Sequence, residues 1–251
     1  MPKIFKGIEH LDKLDTSGTV CFDTETLQLQ PERARMRLVQ LGTKANETVV
    51  LIDCRQLDRS GWEELRHFFS GTERDWLAHN AVFDLGWLQA HDIYPAGFVR
   101  CTMLASRLVE NGIPNVRHSL DKLVNRYLKR ELPKELQKSD WSGDLTDEQL
   151  EYAANDVFAL MDLDEKLTAK IRINKLDTAY GLECGALPAM AQMWRTGLHW
   201  NAENLQQRKL DYEHDIKNLA NDFILQLDAA LPEDKKWPRN EDGSFNLRAK
   251  D

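Results

Sequence analysis

The stretch VCFDTET, residues 20–26, ends an apolar run with two carboxylates, Asp23 and Glu25, one residue apart. In a strand, positions i and i+2 project to the same face, so these acids stand together while Thr24 turns away. Two like charges side by side are unfavourable unless the strand has ended in solvent or a positive partner joins them. Two further segments set acids in apolar company. HNAVFD, residues 79–84, follows a short apolar run and places Asp84 about one turn into a helix, where the helix end alone would favour a negative charge. YAAND, residues 152–156, puts Tyr152 and Asp156 at i and i+4, on one helix face. Each pattern alone is ordinary; a D-x-E triplet occurs by chance about once in a chain of this size. The set is more telling. Four acids converging on one point repel, and divalent cations are the simplest remedy. Carboxylate oxygens suit Mg²⁺ or Mn²⁺, and no His or Cys cluster stands nearby to recruit zinc. Two such ions, about 4 Å apart, can clamp the attacking and leaving oxygens of a phosphodiester.

Elements that could bring these residues together are visible in the hydrophobic pattern. Strand-like runs at 19–23, 36–42 and 48–53 are joined by short loops, which suits an antiparallel meander. A helix at 62–70, a short strand at 76–78 and a helix from the capping residue Asn80 toward 90 follow. Helical periodicity returns at 119–128 and over 146–171, where Thr146 and Gln149 have the spacing of a capping box. Strands first, then strand and helix in alternation, predict a mixed α/β sheet covered by helices. After about residue 177 the texture becomes helical: one helix over 179–196 ending at Gly197, then a long charged helix from Asn201 to about 230. The polar, turn-rich tail reads as poorly anchored. The pattern thus predicts a first domain over 1–176 and a helical extension over 177–251.

Composition narrows the class. The 251 residues are 42% hydrophobic and 29% charged, which is ordinary for a soluble globular protein with a full core. No apolar run reaches bilayer length, and the charged N-terminus does not resemble a signal peptide, so a reducing cytoplasm is expected, with no membrane partner. Cys21, Cys54, Cys101 and Cys184 are widely spaced and read as small buried hydrophobes. The net charge of −8 argues against a protein that coats nucleic acid, but not against one that grips a short piece. Residues 117–138 hold seven Lys or Arg against three acids, the composition of a solvated helix face or a local grip.

FDTET, HNAVFDLGWL and YAANDV, in this order and spacing, resemble the three exonuclease motifs of the DEDD superfamily in its tyrosine-containing branch. That branch includes the proofreading domain of family A, DNA polymerase I-like enzymes and, more distantly, ribonuclease D. The resemblance spans residues 20–167 and includes RLVQLGT, TMLASRLV and SDWSGDLTDEQLEYAANDV. It implies a ribonuclease H-like fold and 3′→5′ removal of nucleotides, with two divalent cations, Mg²⁺ or Mn²⁺, as cofactors. It implies that Asp23 bridges both ions, that Glu25 and Asp156 complete the more tightly held site, and that Asp84 holds the second. Tyr152, with Glu25, would orient the attacking water, because an ordinary phenol, with a pKa of about 10, is a poor free base. Asn80 and Leu29 fall where relatives grip the terminal nucleotide, core packing being the other reading of Leu29. Cys101 departs from the pattern, since many relatives carry Asp there.

The C-terminal part bears on the substrate. ECGALPAMAQMWRTGLHWN, residues 183–201, resembles the junction between exonuclease and polymerase in family A enzymes. GSFNLRAKD resembles the FN-x-x-S stretch beyond it, with Ala249 in place of Ser. The chain is then expected to be either an exonuclease portion or a free-standing relative that kept the linker. The expected substrate is a single-stranded or frayed 3′ end of DNA, in proofreading with a polymerase module in cis or trans. Two alternatives stand beside it: ribonuclease D-like trimming of RNA, and a catalytically silent nucleic-acid-binding module.

Overall fold

The computed structural model describes residues 2–31, 33–132, 139–198 and 200–246. They form two compact units, Met1–Gly197 and Leu198–Asp251. The first is built on six strands: β1 Lys3–Lys6, β2 Val20–Thr26, β3 Met36–Thr43, β4 Thr48–Asp53, β5 Arg74–Ala78 and β6 Gly97–Cys101. They lie in the order β1-β4-β3-β2-β5-β6. β2, β3 and β4 form the antiparallel meander expected from their short loops, while β1 joins β4, and β5 and β6 extend β2, in parallel. Strands β1 and β6 escape the sequence reading because KIFK and GFVRC are too short and too mixed to show a period.

Helices cover both faces of this sheet. On one face, Val20, Phe22, Val39, Leu41, Val50 and Ile52 pack with α1, Arg59–Ser70, and α2, Ala81–Ala90. Phe69 of α1 stacks on Trp76 at 4.8 Å and meets Phe22 edge-on at 5.9 Å. The other face is covered by α5, Asp147–Ile173. Leu38, Val49 and Leu51 pack there with Leu150, Ala153 and Ala154, and Cys21 and Leu77 pack with Val157, Leu160 and Met161. Between α2 and α5 in the chain lie α3, Thr102–Val109, and α4, Leu120–Leu123, which continues as a π-turn over Val124–Leu128. All four cysteines are buried, free thiols, as their spacing suggests.

The helix over 179–196 is in fact two, α6 Asp177–Gly185 and α7 Leu187–Thr196, with Pro188 in the first turn of the second. Both belong to the first unit although the composition changes at 177. The Tyr180 hydroxyl accepts from Cys101 N at 3.1 Å and donates to Cys101 O at 3.2 Å. Gln89 Nε2 of α2 donates to Pro188 O at 3.0 Å. Trp194 lies over Gly86 so closely that a Cβ added there would fall 2.5 Å from its ring. The shift at 177 therefore marks the end of sheet-type alternation, with packing onto α2 and β6 continuing beyond it. Gly86→Ala is expected to lower stability by about 1–3 kcal/mol through overpacking. In a Trp194→Ala background the same change should add little, a non-additivity that denaturant titration of the four proteins reads directly.

The second unit contains α8, Ala202–Ala229, capped by Asn201, whose side chain accepts from Asn204 N at 3.0 Å. Residues 232–246 of the tail that follows are anchored, contrary to the sequence reading. Buried Asp228 accepts from Trp237 N at 2.7 Å and from Arg239 Nη2 at 3.4 Å, and the Arg239 guanidinium lies 3.9 Å over the Phe245 ring. The Leu247–Asp251 part of the FN-x-x-S-like stretch, including Ala249, lies outside the described residues, as do residues 133–138 of the basic stretch.

Candidate active site

Strand β2 runs to Thr26 and carries Asp23 and Glu25 within its pairing with β3. The acids are not at a strand end released into solvent. Thr24, between them, is buried toward α2 and does specific work: its N–H, at 3.1 Å, and its hydroxyl, at 2.7 Å, both donate to Asp84 Oδ1. The residue separating the first two acids therefore fixes the third. Asp84 sits in the first turn of α2, as its spacing predicts, but Asn80 does not cap that helix. Asn80 occupies the cap position in a left-handed conformation (φ 58°) and makes no side-chain cap bond. Its amide lines the cleft.

Tyr152 and Asp156 are placed by α5, whose start forms the expected capping box. Gln149 N donates to Thr146 Oγ1 at 3.2 Å, and Thr146 N donates to Gln149 Oε1 at 3.0 Å. Gln149 Nε2 also donates to Asp140 O at 3.1 Å, tying the preceding loop to the helix. Small Ala153 and Ala154 let α5 lie close on the sheet beside β2. The Tyr152 hydroxyl lies beside the Asp156 carboxylate one turn away and holds its pKa down against the effect of burial.

All five residues line one open cleft of about 1130 Å³, together with Leu29, Asn80, His79, Phe83, Arg107, Arg117, His118 and Trp141. Its size exceeds the roughly 300–1,000 Å³ of a typical small-molecule pocket. Leu29 is 76% exposed, so core packing does not explain it. Exposed Arg107 and Arg117 give the acidic cleft a cationic lip. His79 sits beneath that lip, bonded through Nδ1 to Thr102 Oγ1 at 2.8 Å, and burial lowers its pKa to about 4, so it is neutral.

The electrostatics follow from gathering four acids. Burial, then the charges of Asp84, Glu25 and Asp156, push the Asp23 carboxyl well above its ordinary range. Burial, then Asp156 and Asp84, push Glu25 up to about 8. Asp84 is raised to about 7 because burial outweighs the Thr24 hydrogen bonds, and Asp156 to about 7 because burial outweighs the bond from Tyr152. Among the described residues, no three His, Cys, Asp or Glu side chains are drawn tightly enough together to hold an ion as they stand. The acids share a cleft without forming a closed cage. Their chemistry nonetheless fits hard divalent cations: all donors are carboxylate oxygens, and among the described residues no positive side chain offsets their raised pKa values.

A pH dependence results. Carboxyls whose pKa is raised on folding bind protons more tightly in the folded state, so their contribution is full below about pH 4 and is lost as pH rises toward 8. In EDTA the protein should therefore become less stable between about pH 5 and pH 8, and Mg²⁺ should flatten that slope. Parallel urea titrations check this, and identical slopes with and without Mg²⁺ would count against a cation site.

Sequence reasoning did not single out Thr24, Arg37, His79 or the Arg107–Arg117 lip. Arg37 is fully buried and donates to Trp141 O at 2.7 Å, to Gly143 O at 2.9 Å and to the Asp53 carboxylate. It thereby pins the loop that carries Trp141 into the cleft. An arginine inside an otherwise apolar strand, MRLVQLGT, was the available signal.

The sheet order, its helical cover and a carboxylate-lined cleft beside strand β2 define a ribonuclease H-like exonuclease fold. A family model described as 3′-5′ exonuclease matches residues 7–172, and the chain belongs to that family. It is 35% identical over 175 residues to DNA polymerase I of Aquifex aeolicus (strain VF5), a match covering 69% of this chain. The chain spans only 27% of that polymerase's length. Among solved structures, NrnC of Brucella melitensis with bound Mg²⁺ is 26% identical, with a TM-score of 0.65 over 78% of this chain and 95% of that one. NrnC has also been solved bound to pGG. Escherichia coli RNase D, an exoribonuclease involved in structured RNA processing, shares the fold at 21% identity, with a TM-score of 0.63 over 79% of this chain and 52% of that one. The protein is thus a 3′→5′ exonuclease of the tyrosine-containing DEDD type. No helix among the described residues is long and apolar enough to cross a membrane.

Proposed function

We propose that this exonuclease uses two divalent cations to remove nucleotides from single-stranded or frayed 3′ ends of DNA, in proofreading beside a polymerase module in cis or trans. The gathering of Asp23, Glu25, Asp84, Tyr152 and Asp156 on the wall of one open cleft carries this reading. Likeness to a DNA polymerase I supports DNA as the substrate. Residues 177–251 are read as the extension leading toward such a module, its first two helices completing the nuclease unit.

Asp23, Glu25 and Asp156 would hold one Mg²⁺ or Mn²⁺, with Asp23 shared and Asp84 holding a second. When bound, the pair supplies positive charge to the attacking and departing oxygens. The chain's own groups do the placing. Glu25 accepts a hydrogen bond from the attacking water, and the Tyr152 hydroxyl donates to that water once the Asp156 carboxylate beside it is taken up in holding a cation. Burial and the nearby acids raise the Tyr152 phenol above its ordinary pKa, so it stays protonated and orients the water without acting as a base. The water oxygen bonds to phosphorus and gives up a proton to solvent, the P–O3′ bond breaks, the O3′ left on the shortened strand takes up a proton from solvent, and a nucleoside 5′-monophosphate leaves. Asn80 and Leu29 hold the terminal nucleotide, Leu29 against the base, while Arg107 and Arg117 meet the phosphates upstream.

Tyr152→Phe should lower kcat by roughly 10²-fold with KM nearly unchanged, leaving the shape of the pH–rate profile intact. A lost alkaline or acidic limb would instead make Tyr152 the titrating group. The substrate is tested by digesting DNA and RNA of one sequence side by side. Faster loss from DNA supports the proposal. Equal or faster loss from RNA would favour the second reading, RNA 3′-end trimming, which the likeness to the pGG-bound NrnC supports.

A further inference from the structure

Opposite Asp23 on the neighbouring strand stands Gln40, paired in register with Asp23 on β2 and with Leu51 on β4. Residues paired across strands put their side chains on the same face, with Cβ atoms about 4.5–5.5 Å apart. That face lies under α5. Leu38, two residues before, packs with Leu150, Ala153 and Ala154, and a Cβ added at Gly42, two residues after, would fall 2.6 Å from Val157 Cγ1. Gln40 is completely buried between them, and among the described residues neither its Nε2 nor its Oε1 has a hydrogen-bond partner. A buried amide left unpaired at both ends destabilises a fold and calls for a reason. The cluster on this face gathers Leu38, Leu51 and the α5 alanines with Trp141 and Tyr152, and the polar residue paired directly opposite Gln40 is Asp23.

We propose that Gln40 is a positioning residue: its Nε2–H donates to the Asp23 carboxylate and fixes that carboxylate's orientation when it is ionised and holding a cation. The proposal rests on reading Asp23 as a cation-binding acid. An amide suits the task. It supplies a directional donor without a positive charge, whereas Lys or Arg at this position would neutralise the acid and compete with the cation. Groups that orient metal ligands in this way change metal affinity by about 10–100-fold when removed. Gln40 acts through Asp23 and has no contact with substrate.

The test compares the full chain with Gln40→Met, similar in length but without hydrogen-bonding groups. It reads the metal-free melting temperature and the Mn²⁺ concentration that gives half-maximal thermal stabilisation. The expected result is a melting temperature equal to or above that of the unmodified chain, since two orphaned groups are gone, with half-saturating Mn²⁺ raised roughly tenfold or more. In an Asp23→Asn background, where Mn²⁺ should no longer raise the melting temperature, the same change should leave no cation-dependent difference between the two chains. A packing role alone gives the reverse, a lowered melting temperature and unchanged half-saturation, and overturns the proposal. Should Gln40→Met not fold, the unmodified chain decides: Mg²⁺ must shift the Gln40 side-chain amide resonances, and unmoved resonances overturn the proposal equally. If Mn²⁺ stabilises neither the unmodified chain nor any variant, the cation site itself is wrong, and the proposal falls with it.

Discussion

Asp23→Ala is expected to reduce divalent-dependent degradation of a 3′-labelled single strand by at least about 1,000-fold, the loss seen when a member of a cooperating catalytic set is removed. The geometry says why this acid matters most. Asp23 stands on the central strand, in electrostatic reach of Glu25, Asp84 and Asp156, and is the one acid that the shared-cation reading assigns to both ions. Folding should not suffer. With one fewer like charge in the cluster, the metal-free variant should melt at or above the temperature of the unmodified chain at pH 8, and Mg²⁺ should no longer raise it. Loss of activity with a lowered metal-free melting temperature would instead mark Asp23 as a structural acid.

Arg37→Met should lower stability by about 3–5 kcal/mol, because it strands a partner charge. The guanidinium is fully buried and serves three acceptors, the Asp53 carboxylate and the carbonyls of Trp141 and Gly143. Among the described residues, removing it leaves Asp53 with its bond from Arg55 N, at 2.9 Å, and the partly exposed Arg55 side chain. The same change frees the loop before α5, so activity should fall further than thermal unfolding alone explains at the assay temperature. Arg37→Met with Asp53→Asn should recover part of the stability, since no unpaired charge remains. If the single and double variants are equally stable, the ion pair is not what holds this loop.

The site was far more legible in the sequence than its supports were. Asp23 and Glu25 could be paired on one face from strand periodicity, and Tyr152 and Asp156 from helical periodicity, because both depend on spacing within one element. The capping box at Thr146 was readable for the same reason. Thr24 was read as turning away, which is correct, yet its bonds to Asp84 span sixty positions that no local pattern reports. Gln40 and Arg37 were hidden likewise, since their meaning lies in which strand pairs with which and in register. Pro188 did give a local sign that the helix over 179–196 is interrupted, and the packing of α6 and α7 on the nuclease unit did not, because that contact joins residues about 80–110 positions apart in the chain. The tail beyond α8 looked loose because its composition is polar, and it is held by one buried acid, Asp228.

The central claim is tested most directly by incubating the full chain with a 5′-labelled single-stranded oligonucleotide, in Mg²⁺ and in EDTA, alongside the same strand blocked at its 3′ end. The expected result in Mg²⁺ is a ladder shortening one nucleotide at a time from the 3′ end, abolished by EDTA and by the 3′ block. A ladder that persists in EDTA, or that forms unchanged on the blocked strand, would contradict it.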